Sequence, residues 1–309
     1  MDANKPKQDI LDRARSRTVI ITGAGGGIGA ATAREFNNRG ATVVLADIPA
    51  LESNARELIA SFSYPDHAVF IPVDIRDWQQ MQRLFQQTIQ MFGSVDTVVA
   101  NAGVMESEHV LDMEDVDSEG NLRESQEASR VIDINIKGTL NSTDPTLDMG
   151  TATDSVYCWT TSIAAGHAPH AIIIQHEDGA TVHCYGGIYI GVLWGDWAAK
   201  RYNISITAVA PFFTPTAITS GLTERWKAAG LEANTPEMVG KVIFGSALDD
   251  NNSGSCLLVA GKFLRELELT RSNLIPEWLG GDVKEFMDRA FNVIQETGGY
   301  QLPKIRAKV

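Results

Sequence analysis

The chemistry-bearing residues begin with Thr22-Gly23-Ala24-Gly25-Gly26-Gly27-Ile28-Gly29. Glycines let a backbone turn sharply and bring its amides close to a pyrophosphate at the start of a helix. A glycine cluster alone is a common turn. Context makes this one informative: a β-branched run (18–21) precedes it and a helical pattern (30–38) follows. Asp47 then ends the next apolar run, 18 residues beyond Gly29. A carboxylate there can accept both hydroxyls of an adenosine ribose and would repel a 2′-phosphate, so NAD is favoured over NADP. The plainer reading, that Asp47 only caps the next helix, is outweighed by the motif's geometry.

Regular elements must hold these groups. Apolar runs at 18–21, 42–46, 68–73 and 95–100 alternate with helical patterns at 30–38, 50–61 and 78–92, the last with Met81, Leu84, Phe85 and Ile89 on one face. Strands buried on both faces and separated by amphipathic helices imply an α/β fold: a single Rossmann-type, doubly wound parallel sheet with helices on both faces. Right-handed crossovers then bring every strand's C-terminal end to one edge, where ligands bind. No internal repeat or low-complexity linker interrupts the pattern.

Composition narrows the class. The 309 residues are 44% hydrophobic and 21% charged, enough chain and apolar content for a large core. The net charge of −13 would repel a polyphosphate chain, so no nucleic acid partner is expected. No run reaches the ~18 apolar residues of a spanning helix, so no membrane partner is expected either. The first 17 residues lack the apolar stretch of a secretory signal, and Asp2, Asp9 and Asp12 argue against a transit peptide. Three cysteines (Cys158, Cys184, Cys256) make no disulfide framework. A cytoplasmic protein is expected.

Two further pieces complete a pattern. Asp74 and Ile75 follow the third strand, where the carboxylate could meet an adenine, and Asn101-Ala102-Gly103 closes the fourth. With Thr22-Gly23-x-x-x-Gly27-x-Gly29, these residues make the chain resemble the short-chain dehydrogenase/reductase family. Asn135-Ile136-Lys137-Gly138 is similar to that family's Asn-x-x-Gly. Pro211-Phe212-Phe213-Thr214-Pro215-Thr216 resembles its Pro-Gly-x-x-x-Thr loop beside the nicotinamide carboxamide, with Phe212 in place of the glycine. Residues 236–264 fit a helix, a turn and Cys256–Ala260 as the last strand. The resemblance covers about residues 17–140 and 200–266. It implies an NAD(P)-dependent oxidoreductase interconverting a secondary alcohol and a ketone, closest in detail to fungal members that tailor secondary metabolites.

The middle of the chain departs from the family. There a tyrosine hydroxyl gives or takes the substrate proton, and a lysine four residues later lowers the phenol's pKa from its usual ~10. A serine on the preceding strand positions the carbonyl. Between 140 and 200 no Tyr-x-x-x-Lys exists. Tyr185 is the best-placed tyrosine, but its fourth neighbour is Tyr189, and a phenol supplies no positive charge. Tyr300 to Lys304 has the spacing, but Pro303 interrupts it in the tail. Ser162, ending the run 155–162, is the serine candidate, although it lies 23 residues before Tyr185, about ten more than the family pattern. The competing strand, 171–174, has no serine. Residues 138–199 also contain no Lys or Arg where the average chain content gives about five. Gly186, Gly187, Gly191 and Gly195 would each weaken a helix there by ~1 kcal/mol relative to alanine. Two accounts stand. Part of 141–197 is foreign to the family's sequence, through a compensated frameshift, mis-splicing or scrambling, or the lineage has lost its catalytic pair.

Other features have plainer readings. His167, His170, His176, His183 and Cys184 match no common zinc spacing, so no metal is expected. Residues 105–124, with eight acids and one base, read as a solvated loop. Residues 218–231, with Trp226, lie where the family carries a mobile substrate lid, or form an ordinary helical hairpin. Val283, Met287, Phe291 and Ile294 recur at helical spacing.

The expected organisation is an N-terminal arm (1–17), a dinucleotide-binding domain (18–266) and a C-terminal helical extension (267–309). The resemblance assigns catalysis to Asn135, Ser162 and Tyr185. It assigns cofactor binding to Thr22, Gly23, Gly27, Ile28, Gly29, Asp47, Asp74, Ile75, Asn101, Ala102, Gly103, Lys137, Pro211, Thr214 and Thr216. The expected partners are a small-molecule alcohol or ketone and further copies of the chain in a homo-oligomer. The alternative is a catalytically impaired or inactive dinucleotide-binding or subunit-interaction protein of the same fold.

Overall fold

A computed structural model describes residues 13–109, 112–142, 156–160, 205–249 and 253–296, the strand at 156–160 by its backbone. Five runs that the sequence marks as apolar become strands β1 (Thr18–Thr22), β2 (Thr42–Asp47), β3 (Ala68–Pro72), β4 (Thr97–Ala100) and, after the middle, β5 (Val156–Thr160). They are completed by β6 (Ser205–Pro211), β7 (Cys256–Ala260) and β8 (Phe263–Glu266) in one sheet of order β3-β2-β1-β4-β5-β6-β7-β8. All pairings from β3 through β7 are parallel. The fold is therefore the doubly wound α/β architecture expected from the sequence.

One detail differs from that expectation, and one choice left open by the sequence is decided. Cys256–Ala260 is not the last strand, because a two-residue turn at Gly261 and Lys262 sends the chain into β8. The short, charged Phe-Leu-Arg-Glu of β8 carries no apolar run to announce it. The strand between β4 and β6 is Val156–Thr160, the first of the two candidate runs.

The strands' continuous apolar character follows from burial on both faces. Val19, Ile21, Val43 and Leu45 belong to one core with Phe36, Ile243, Phe244 and Leu248. Ile20, Val44 and Ala46, the alternate residues, belong to a second core with Met81, Leu84 and Phe85. Helices α1 (Gly27–Asn38), α2 (Glu52–Ala60) and α3 (Trp78–Phe92) link the first four strands. α3 has clear local ends: Asp77 accepts hydrogen bonds from the amides of Gln79 and Gln80, and Gly93 stops it at φ 87°. α4 (Gln126–Ile132) widens into a π-helical turn at Asp133–Gly138. α5 (Ser220–Ala228) and α6 (Pro236–Leu248) follow β6, the latter capped by Thr235. Among the described residues, no helix is long and apolar enough to cross a membrane.

The chain divides into two compact units, residues 1–265 and 266–309. The second holds α7 (Glu268–Leu279) and α8 (Gly281–Glu296), and Val283, Phe286 and Phe291 on α8 are exposed.

The α1–α6 contact gives a direct stability test. Phe36 and Phe244 meet edge to face with centroids 4.9 Å apart, and both are fully buried. Phe244→Ala should lower the unfolding free energy by about 3–5 kcal/mol in urea denaturation. A loss below about 1 kcal/mol would show that this contact is not part of the cooperative core.

Candidate functional site

The sheet order reverses between β1 and β4, and the glycine loop lies at that switch point. Gly23 leaves β1 with φ 67°, and a Cβ there would sit 2.7 Å from Ala102 Cα. A Cβ on Gly29 would stand 2.2 Å from the Gly23 carbonyl oxygen and 2.6 Å from Asn101 Nδ2. Only glycine lets α1 begin this close to the loop. Asn101 fastens the junction, its Nδ2 donating to the carbonyls of Thr22 (3.0 Å) and Gly23 (3.3 Å). The Thr22 hydroxyl accepts from the amides of Asn101 and Ala102, each at 3.1 Å. Above the loop, a Cβ on Gly26 would meet nothing within 4 Å, and the first turn of α1 carries no acidic residue. First-turn amides lack intrahelical partners, and Ile28 lies among them, so this end of α1 suits an anionic group.

Asp47, the last residue of β2, turns back onto the same loop. Its Oδ2 accepts from Gly25 N and its Oδ1 from Ile48 N, both at 2.8 Å. Burial pushes its carboxyl up from the ordinary aspartate value, against the pull of these two amides. Asp74, after β3, is held by Arg76: Oδ1 accepts from the Arg76 amide (2.9 Å), and Oδ2 from its Nη2 (2.6 Å). Arg76 keeps the Asp74 carboxyl below its usual range, and the more distant Lys137 adds to the effect. Lys137 itself is exposed on α4's wide turn. Ile75 is buried, and its carbonyl accepts from Asn141 Nδ2 at 2.8 Å.

Beyond Gly103 the chain is clamped to α4. Asn135 Oδ1 accepts from Val104 N and its Nδ2 donates to Val104 O, both at 2.8 Å. The carboxamide that the resemblance places in catalysis is thus bonded at both ends to one backbone residue. The Asn135 carbonyl accepts from the Thr139 hydroxyl at 2.8 Å. Glu127 extends the clamp by accepting from the amide and hydroxyl of Ser107. Arg130 donates to both Glu127 oxygens (2.7 and 2.6 Å) and to Met105 O (3.0 Å). The Arg130 guanidinium is the main cause that pulls the Glu127 carboxyl down to about 2. Glu127 and Arg130 were not legible as site-shaping residues: their i, i+3 spacing predicts a pair, but nothing marks Ser107 as its target.

The far side is built by the segment after β6. Pro211 and Thr214 are buried, and Thr219 Oγ1 donates to Thr214 O (2.7 Å) while accepting from Thr216 N (2.9 Å). A Cβ on Gly27 would come within 3.2 Å of Thr216 Cγ2, so this segment rests on the glycine loop. Thr22, Gly23, Gly27, Gly29, Asp47, Asn101, Ala102 and Thr216 are thereby brought together. Ser162, Tyr185 and the His167–Cys184 group lie outside the described residues. Among the described residues no three His, Cys, Asp or Glu side chains could share a metal ion.

Two tests probe this geometry. Gly29→Ala forces a backbone overlap and should cost about 1–3 kcal/mol in denaturation, with loss of any ligand held at the α1 end. Unchanged stability would contradict the close approach. Glu127, lowered from 4.5 to about 2, contributes stability that is fully present above pH 4.5 and lost as pH falls through about 2. The stability difference between the native chain and Glu127→Gln should shrink across that window in acid titrations, and a pH-independent difference would refute the clamp.

Comparison with known proteins finds similar sequences and folds. The family model described as short chain dehydrogenase matches residues 17–167. Short-chain dehydrogenase/reductase prx4 of Penicillium roqueforti is 28% identical over 298 residues, covering 89% of this chain and 83% of that protein. A 3-oxoacyl-[acyl-carrier-protein] reductase of Thermotoga maritima is 28% identical over 251 residues, covering 78% and 94%. Among solved structures, a 3-ketoacyl-(acyl-carrier-protein) reductase from Brucella melitensis complexed with NADH shares the fold with a TM-score of 0.63 at 18% identity, covering 81% of this chain and 98% of that one. Together the family-model match, the relatives aligned along most of the chain and the shared fold support a member of the short-chain dehydrogenase/reductase family, whose proteins are NAD(P)-dependent oxidoreductases.

Proposed function

We propose that the chain is an NAD-dependent oxidoreductase that interconverts a secondary alcohol and a ketone. The observation that carries this reading is Asp47 folded onto the glycine loop at the open end of α1. The residues fit a dinucleotide: unobstructed space over Gly26, a helix N-terminus for a pyrophosphate, and a carboxylate for ribose hydroxyls. Thr22, Gly23, Gly27, Ile28 and Gly29 would hold the pyrophosphate, Asp47 the ribose, and Asp74 with Ile75 the adenine end. Asn101, Ala102, Gly103, Lys137, Pro211, Thr214 and Thr216 would border the nicotinamide half. When bound, a nicotinamide would supply the hydride chemistry. On the protein side, Tyr185 Oη gives or takes the substrate's proton, Ser162 donates a hydrogen bond to the substrate oxygen, and Asn135 holds the loop beside them in place.

A second reading has its own observation. Tyr189 stands where the family has its lysine, so the phenol of Tyr185 lacks the cation that favours its charged form. A protein that binds NAD without turnover, or that serves as a subunit partner, follows from that vacancy. A place in fungal secondary metabolism rests on the resemblance of the motif pattern to fungal members, and two of the relatives are Penicillium proteins. The small cysteine count supports a cytoplasmic setting, and the family's pairing of helices supports a homo-oligomer.

Titration with NADH followed by a panel of secondary alcohols and ketones separates the two. Turnover that disappears in Tyr185→Phe supports the oxidoreductase; tight NADH binding with no turnover supports the binding protein. For the cofactor preference, Asp47→Ser should shift the ratio of NADH to NADPH dissociation constants toward NADPH by about 10–100-fold, since a like charge no longer faces the 2′-phosphate. An unchanged ratio would remove Asp47 from cofactor selection.

A further inference from the structure

Helix α8 (Gly281–Glu296) is amphipathic, and its apolar side is exposed. At about 100° per residue, Val283, Phe286, Ala290 and Val293 fall within an arc of about 80°. A surface helix ordinarily turns such a stripe toward a core. Here Lys284 and Met287 are half-buried, whereas Val283, Phe286, Phe291 and Val293 are between 38% and 70% exposed.

The stripe is large enough for an interface. An aromatic side chain carries about 150–250 Å² of surface, and a valine somewhat less. Scaled by their exposure, these four side chains offer about 400 Å² of apolar area. The core of an interface is about 65% apolar, so a footprint of roughly 600 Å² surrounds them. Two such footprints bury about 1,200 Å², the lower bound of a specific, stable contact.

The charges beside the stripe select what covers it. α8 carries four acids and two bases, the wrong balance for a helix lying on an anionic membrane. On one flank Lys284 pairs with Asp288. On the other flank Asp282 and Arg289 are exposed, and neither has an ion-pair partner among the described residues. A two-fold axis runs a second α8 antiparallel to the first and brings like flank against like flank. Phe286 lies midway between 282 and 289, so a crossing there sets Asp282 opposite Arg289 of the partner subunit. The same symmetry sets Arg289 opposite Asp282 of the partner subunit. One helix thus supplies both halves of two opposite-charge pairs.

We infer that the exposed face of α8 docks on the same face of a second copy of this chain, with Phe286 at the two-fold axis and Asp282–Arg289 pairs at the rim. This contact is independent of what the glycine loop binds.

Sedimentation velocity of the full chain at micromolar concentration tests this in the native protein, Phe286→Glu, Arg289→Asp, and Asp282→Arg combined with Arg289→Asp. The native chain should sediment as a dimer or a larger even multiple, and Phe286→Glu should halve that mass. Arg289→Asp should raise the dissociation constant about 3–10-fold, and the combined variant, which reverses both pairs, should restore it. Phe286 is 70% exposed, so its substitution should leave the circular dichroism spectrum unchanged. Should Phe286→Glu not fold, the two charge variants decide. A monomeric native chain, a mass unchanged by Phe286→Glu, or a combined variant no tighter than Arg289→Asp overturns the inference. An unchanged mass with a lowered melting temperature in Phe286→Glu also overturns it, placing the stripe against its own chain.

Discussion

The junction between the ends of β1 and β4 governs the site. Gly29 packs so closely on the Gly23 carbonyl and the Asn101 carboxamide that no Cβ fits, while Thr22 and Asn101 exchange hydrogen bonds across the two strands. Because this contact is steric as well as polar, it fixes where α1 begins, and with it the direction of the helix's unpartnered amides. Asp47 depends on the same placement, since its bond to Gly25 exists only where the loop is folded back toward β2. The open end of α1 and the placement of the Asp47 carboxylate are consequences of one tight turn.

Layers of support surround that turn. The Asn135–Val104 pair and the Glu127–Arg130–Ser107 cluster hold the chain leaving β4, and the threonines at 214, 216 and 219 hold the chain leaving β6. Each replaces water around backbone polar groups with fixed partners, which limits the motion of the strand ends where a ligand would lie. Arg76 plays a similar part for Asp74, occupying much of its carboxylate with a short charge-assisted bond.

The parts of this structure that are local were legible in the residues. Strands buried on both faces must be apolar throughout, so β1 and β2 stand out, and α3 stands out by its single apolar face between Asp77 and Gly93. The glycine loop was legible because positive φ and close approach leave few alternatives to glycine. β8 was not, since a short edge strand with alternating exposure needs no apolar run. The choice between residues 155–162 and 171–174 for the strand beside β4 was open because both are apolar; pairing with β4 and β6 settles it on Val156–Thr160. Asn234 shows the same limit at the site. It is an ordinary loop asparagine in sequence, and only the approach of β6, β7 and Gly261 makes it a buried hub.

A crystal structure of the chain grown with NADH tests the central claim most directly. The account predicts the pyrophosphate on the amides at the start of α1, between Gly26 and Gly29, with the adenosine ribose hydroxyls donating to Asp47. A dinucleotide bound elsewhere on the molecule, or one at the glycine loop with its ribose turned away from Asp47, would contradict it.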